Sequence, residues 1–266
     1  MPFVGAGIVP HSPLLIPTIG KEYHRETKKT QRAMASLVQE LYALRPDCIC
    51  VIHPHGVAPA GVFPLQTAHE FVSDFTEFGD LVTNRTWPVA LTLSHEIMEH
   101  AEDHGLPARL IDEHTLPHDV AVPLQFFPAF EQRVEVLPIG TSPTLDRQTH
   151  VHWGSMLAET FHQTRKRVVV LVSAELSHHA SAAASGGVRP EGVRFDHEVQ
   201  SLLRKKNLSQ NLLGLNDELI ELADACGYLP LLVWSGIMKR KNLGVRKLSY
   251  EHPFGIGFIV ALINNA

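Results

Sequence analysis

Cysteine is scarce in this chain. The three present in 266 residues, Cys48, Cys50 and Cys226, are too few and odd in number for the disulfide framework of a secreted protein, and they point to a reducing compartment. A basic excess is also missing. With 23 Lys+Arg against 28 Asp+Glu the formal net charge is −5, so nothing marks nucleic acid or an anionic membrane as a partner. No apolar run reaches the ~20 residues of a membrane helix; the longest late one spans residues 254–263. The opening MPFVGAGIVPHSPLLIP lacks the basic segment of a signal peptide and is interrupted by His11 and by Pro10, Pro13 and Pro17, so it reads as mature structure. Linkers rich in Pro, Gly or Ser, charge blocks and internal repeats are absent too. We therefore expect a cytoplasmic protein forming a single domain over residues 1–266. At 44% hydrophobic and 19% charged, disordered and collagen-like classes are excluded, and a chain of this length buries about three quarters of its unfolded surface. What is plentiful is histidine, with 17 residues.

Short β-rich runs alternate with helical periods. The pattern predicts strands over 3–9, 47–53, 89–93, 108–112, 134–140, 167–174, 247–252 and 255–263, the last two forming either a hairpin or one bent strand. Helices are predicted over 26–44, 94–104, 146–164, 195–204 and 217–239; in the first, Ala33, Met34, Leu37, Val38, Leu41 and Leu44 make one apolar stripe that Pro46 ends. Such alternation is that of an α/β fold with a central mostly parallel or mixed sheet and helices on both faces. Residues 54–88 show no clear period, and the small residues of 180–192 suit a mobile lid.

In open α/β sheets, sites form beyond the carboxyl ends of strands, which ranks the histidines. His11 follows the first strand in VPHSP, His53 and His55 follow the second in VIHPHG, and His178 and His179 follow the sixth in SAELSHH. His118 lies in the polar turn of LPHDVAVPL, and His252 in SYEHPFG follows a late strand. The others sit in helices or loops; His100 and His104 share a helix, but as HExxxH rather than the zinc-binding HExxH. Cys48 and Cys50 fall on one face of a strand and read as buried small hydrophobes. Cys226 differs, because it closes the polar ELADACG of an otherwise apolar helix, near Glu221 and Asp224, so that one soft and two hard donors compete.

The motifs PHSP, VIHPHG, HDVAVPL, SAELSHH followed by VRFD, ELADACGYLPLLVW and SYEHPFGIGF occur in the order seen in class III extradiol ring-cleaving dioxygenases of the LigB type, and Memo proteins share that order. The chain resembles this superfamily over nearly its whole length. The resemblance implies a single α/β catalytic domain with a 2-His-1-carboxylate site for Fe(II). It makes His11 and His55 the histidine ligands, His178 the acid/base residue and His118 a second histidine touching substrate or oxygen, with His53, His179 and His252 as further candidates for the pocket. The implied reaction opens a catechol- or aminophenol-type aromatic ring with O2.

The third ligand departs from the dioxygenase pattern. Those enzymes carry a glutamate directly before a glycine where this chain has Cys226, and Memo proteins have cysteine there. Either the Cys226 thiolate is the ligand, which shifts preference toward zinc or copper, or Asp224 or Glu221 supplies a carboxylate; taking the helix as regular places Cys226 toward the metal. Glu175, an acid as in Memo proteins, either hydrogen-bonds a ligand histidine or caps the following turn. Two functions follow: an extradiol dioxygenase, or a Memo-like metal-binding or redox protein without ring cleavage. Dioxygenases of this type sometimes need a small second subunit over the site, so an accessory subunit or a homodimer is an expected partner.

Overall fold

In the segments VVVLVS and CICVIH every residue is buried, the mark of strands covered on both faces. The computed structural model describes residues 3–56, 59–239 and 243–265. Its strands, in chain order, are β1 (Phe3–Val9), β2 (Cys48–His53), β3 (Phe63–Thr67), β4 (Phe71–Phe75), β5 (Asp80–Trp87), β6 (Ala108–Asp112), β7 (Thr115–Leu116), β8 (Glu135–Gly140), β9 (Val168–Ser173), β10 (Leu243–Glu251) and β11 (Phe258–Asn265). The helices are α1 (Pro17–Gly20), α2 (Lys28–Ala43), α3 (Leu91–Asp103), α4 (His118–Gln125), α5 (Arg147–Gln163), α6 (Pro190–Leu202), α7 (Leu208–Leu213), α8 (Asp217–Ala223) and α9 (Tyr228–Met238).

Eight strands form one mixed sheet in the order β10-β11-β1-β9-β2-β8-β3-β6, and β5-β4-β7 form a small second sheet. Period-two alternation sorts the side chains of the large sheet between two cores. Val168, Val170 and Val172 join Cys48, Cys50 and Ile52 in the core under α3, α5 and α9. Val169 and Leu171 join Ile49 and Val51 in the core under α2 and α4. Cys48 and Cys50 are thus fully buried on one face, and burial pushes both thiols up, which keeps them protonated and unreactive. No helix among the described residues is long and apolar enough to cross a membrane.

The site is positioned by strand order. β1 pairs in parallel with β9, β9 with β2, and β2 with β8. Four carboxyl ends therefore emerge along one edge, and the segments after β1, β2 and β9 become neighbours although they are far apart in the chain.

Four expectations change. Residues 89–93 are not a strand: Val89 makes one bridge to Val136, after which the Leu93, Ile97 and Ala101 stripe takes the chain into α3. Residues 54–88 are not structureless, because β3 joins the main sheet and β4 and β5 pair antiparallel in the small one. The small-residue segment after His179 is pinned rather than lid-like: Ala180 N–H donates to Gly255 O at 2.8 Å and Arg189 N–H to His179 O at 3.1 Å. Residues 217–239 are two helices. Asp224 ends α8 in the left-handed conformation at φ 51, and Cys226 sits in the connection. The last two strands are a hairpin, β10 pairing with β11 in antiparallel register.

Helices α5 and α9 cross at glycines. A Cβ on Gly154 would lie 1.9 Å from Val233 O, and one on Gly236 would lie 2.1 Å from Val151 O. Gly154→Ala must separate two backbones, at a cost of roughly 3 kcal/mol. Thermal unfolding is expected to show the midpoint falling by about 6–12 °C; an unchanged midpoint would contradict the close crossing.

Candidate metal centre

His11 leaves the end of β1 and is buried, 2% exposed. Its Nδ1 lies 2.9 Å from Ser173 Oγ, and that hydroxyl donates its one proton to Asp119 O at 2.6 Å. Ser173 must then accept from His11, so Nδ1 carries the hydrogen and Nε2 presents its lone pair. That nitrogen is the centre of the site. His55, exposed beyond β2, stands edge-on to the His11 ring with centroids 5.2 Å apart and stacks on His118 at 5.3 Å. His118, half-buried at the start of α4, completes a group whose ring nitrogens lie within 4.8 Å of one another.

A second donor group shares His11 and adds Glu175 and Cys226. Cys226 Sγ is 3.5 Å from His11 Nε2 and 3.7 Å from His178 Nε2. Glu175 Oε2 is 3.9 Å from His11 Nε2 and 3.7 Å from His178 Nε2. Donors held tetrahedrally at ~2.0–2.3 Å from one ion are about 3.3–3.8 Å apart, so the spacing fits a metal. The chemistry fits as well. Burial pushes His11 down to about 3, the neighbouring imidazoles adding to the effect and Asp119 opposing it, and burial also lowers His55 and His178. Burial raises Glu175 to about 7, against N–H donation from His11 and Ser12, and pushes the Cys226 thiol up. Burial thus disfavours the charged form of His11, His55 and His178, as ligation requires, and a bound cation is what would offset the cost of ionising the thiol and carboxyl.

The turn that delivers Cys226 is zipped to the extension of β9. Gly227 N–H donates to Glu175 O at 2.9 Å, and Ser177 Oγ and His178 N–H both donate to Ala223 O. A Cβ on Gly227 would lie 2.4 Å from Glu175 O, so this approach requires glycine. Because the helix breaks here, reasoning from a regular helix does not place Glu221 or Asp224. Both are exposed and neither belongs to a donor group, although the Asp224 charge is felt at His178. Among the described residues, the carboxylate nearest His11 Nε2 and Cys226 is Glu175, from the strand end.

The remaining candidates point elsewhere. His53 turns its Nδ1 to Asp119 Oδ2 at 3.2 Å. His179 donates from Nδ1 to Gly187 O at 2.8 Å. His252 is exposed and packs edge-on to Tyr250. His95, His104 and His150 each donate from Nδ1 to the carbonyl four residues back in their own helix, and His100 meets Thr160 Oγ1.

Residue-by-residue ranking overlooks Asp119, although it lies inside the quoted HDVAVPL. Fully buried, it accepts from His55 N–H at 2.6 Å and from His53, while its backbone carbonyl holds Ser173 and thereby His11. Burial would raise this carboxyl, but the His53 and His11 imidazoles and the His55 N–H outweigh that and hold it well below the usual range. Among the described residues, no hydrogen-bond partner reaches its buried Oδ1.

Asp196, from the quoted VRFD, holds the His178 segment from behind. It accepts from Ser177 N–H at 2.7 Å and from Tyr250 O–H at 2.6 Å, and burial pushes its carboxyl up to about 6 against those donors. A carboxyl raised from 3.8 contributes stability that is fully present below the unfolded value and is lost as pH rises through the folded one. The loss amounts to about 3 kcal/mol at most. Asp196→Asn has no charge to bury, so urea unfolding should show its stability relative to wild type rising between about pH 4 and pH 7. A difference independent of pH would refute this.

Beside the donors lies a cavity of about 870 Å³ lined in part by His55, Cys226, Tyr228 and Arg147. Arg147 is held by Asp217 at 2.6 Å and sits over the Tyr228 ring.

The chain is 21% identical over 263 residues to Protein CA_C1420 of Clostridium acetobutylicum, a match covering 96% of this chain and 56% of that protein. A MEMO1 family protein of Methanosarcina mazei is 26% identical over 156 residues, 56% of this chain and 53% of its own length. One from Methanosarcina acetivorans is 27% identical over 169 residues, covering 60% and 58%. The chain therefore spans about half the length of the curated relatives it matches. Among solved structures, uncharacterized protein JW3007 from Escherichia coli K12 shares the fold with a TM-score of 0.71 at 15% identity, over 98% of this chain and 100% of that one. The family model described as the catalytic LigB subunit of aromatic ring-opening dioxygenase matches residues 5–261, and with nearly all of its length inside that match this chain belongs to the LigB family.

Proposed function

We propose that the chain is a Memo-like metal-binding protein whose ion is held by His11, His55 and Cys226, with Glu175 as the carboxylate beside them, and that it does not cleave aromatic rings. The observation that carries this reading is the Cys226 thiol 3.5 Å from His11 Nε2, where the ring-cleaving relatives have glutamate. A thiolate with imidazoles suits zinc or copper better than the all-hard set used for Fe(II) and dioxygen, and a thiolate beside an oxygen-activating iron is open to oxidation. The MEMO1 family relatives support the same side.

In this reading the ion, when bound, supplies a Lewis-acidic centre. The chain supplies the rest. Ser173 fixes the His11 tautomer, Asp119 orients the His55 backbone, and His178 Nε2, within 3.7 Å of both Cys226 Sγ and Glu175 Oε2, is placed to take up the proton either releases.

A second reading rests on Glu175. Its carboxylate restores a hard donor next to His11, and with His178 and His118 nearby the chain would keep the parts for opening a catechol or aminophenol with Fe(II) and O2. Metal competition and oxygen uptake separate the two. Cys226→Ser is expected to weaken zinc and copper(I) binding by about 100-fold or more. Iron-reconstituted wild type should consume no O2 with a panel of catechols and 2-aminophenols. Oxygen uptake with a yellow ring-opened product, abolished by Glu175→Gln and kept in Cys226→Ser, would overturn the first reading in favour of the second.

A further inference from the structure

Two stretches of the chain carry no Asp or Glu, residues 199–216 and 225–250, although acids outnumber bases over the whole sequence by 28 to 23. The fold brings these stretches together. They line a cavity of about 870 Å³ between the end of α6, α7, the end of α9 and the start of β10. None of its lining residues belongs to a metal donor group.

Arg204, Lys205, Lys206 and Lys239 line this cavity, and among the described residues no carboxylate does. All four are exposed, and among the described residues no ion pair or side-chain hydrogen bond engages any of them. Cations nearby on the same elements are treated differently. Arg194 on α6 pairs with Glu198, Arg246 on β10 with Glu40, and Lys247 donates to Gln200. The remaining polar lining is neutral: Ser209 and Ser235 commit their hydroxyl hydrogens to Ser235 O and Leu232 O, and Asn207 and Gln210 add side-chain amides. Buried Leu203 and Leu208, with Met238 and Val245, give it an apolar wall.

Like charges gathered in a concavity repel one another, and low-dielectric walls focus their field on whatever enters. The missing partner is therefore an anion. One exposed cation is worth little to a ligand with one charge, so this set of four discriminates by how many charges a single molecule carries. Phosphoryl groups concentrate charge and acceptor oxygens best, and a guanidinium matches their geometry. The volume is that of a small-molecule site. We propose that this cavity binds a small oligophosphate, a molecule with two or more linked phosphoryl groups, with Arg204, Lys205, Lys206 and Lys239 as its counter-charges. It does so whether or not the metal centre is filled.

The test titrates inorganic tripolyphosphate, ATP, phosphate and sulfate into the full-length protein by calorimetry without magnesium, both as purified and after metal depletion. Tripolyphosphate is expected to bind at least about tenfold more tightly than phosphate or sulfate, equally in both preparations, and to weaken as salt is raised. Lys205→Gln with Lys206→Gln should weaken it by about tenfold. Lys28→Gln with Lys29→Gln removes the same charge from α2, which covers the other core of the sheet, and should weaken it by less than about twofold. ATP matching tripolyphosphate assigns the site to the phosphate chain itself, and ATP binding at least about threefold more tightly assigns it to a phosphorylated organic body on the apolar wall; both support the proposal. It is overturned if phosphate or sulfate binds as tightly as tripolyphosphate, if no probe saturates at millimolar concentration, or if binding requires the metal. It is equally overturned if the cavity double variant, shown folded by an unchanged thermal midpoint, weakens binding no more than the α2 control does.

Discussion

Replacing His11 by alanine is expected to abolish tight metal binding. His11 is the one residue shared by both groups of donors, so its loss leaves His55 and His118 on one side and Glu175 and Cys226 on the other. Loss of a mere supporting residue lowers metal affinity by about 10–100-fold, and loss of the shared ligand should exceed that. Thermal unfolding supplies a second readout. Metal at ~1,000 times its dissociation constant stabilises the folded state by about 4 kcal/mol, a rise of about 10 °C for a chain of this size. Chelator should reverse that rise in wild type and do nothing in His11→Ala. His100→Ala serves as control, because His100 only meets Thr160 on the neighbouring helix and should keep the full metal-dependent shift. If His11→Ala keeps it too, the donor cluster is not a metal site.

Asp119→Ala should be the most damaging single change at the site. It strips the acceptor from His55 N–H and from His53 Nδ1 in a fully buried position, and breaking such a charged contact costs roughly 3–5 kcal/mol. Metal affinity should drop as well, by about 10–100-fold, because the backbone that aims His55 is released. Asp119→Asn separates the two effects. His55 N–H and His53 Nδ1 both meet the one oxygen Oδ2, so a carbonyl in that place can still accept from both, and the amide takes the position of Oδ1. We expect urea unfolding to recover part of the lost stability, and nitrogen-15 spectra of the histidines to report that His53 keeps its hydrogen on Nδ1. Metal affinity within twofold of wild type in Asp119→Ala would show that this carboxylate does not organise the ligands.

Much of this candidate site is legible in the sequence. His11, His55, His118, His178 and Cys226 were each reachable from position, strand ends and motif order, because a histidine just past a buried strand has few places to go except the sheet edge. Asp119 was visible as a letter in HDVAVPL but not as a role. Its importance comes from three contacts that the order of residues does not record: the His53 ring, the His55 N–H and, through Ser173, the His11 ring. For Glu175 the sequence leaves two roles open, support for a ligand or a cap. Its standing as the carboxylate next to His11 and Cys226 depends on β1 lying against β9, which brings residues 164 apart into hydrogen-bond contact. At the site itself, the inference from local geometry that fails is the regular helix through 217–239. A left-handed Asp224 and a glycine pressed onto Glu175 O interrupt it, and both are set by packing against β9 rather than by helix propensity.

The division has a physical basis. Periodicity and composition are local properties, and by themselves they determined the α/β class, the buried central strands with Cys48 and Cys50 inside them, and the strand-end placement of the histidines. Tertiary structure alone decided which donors face one another, which hydrogens the imidazoles carry, and how burial sets their charge. Those depend on desolvation and on partners contributed by strands distant in the chain, and no window of neighbouring residues contains them.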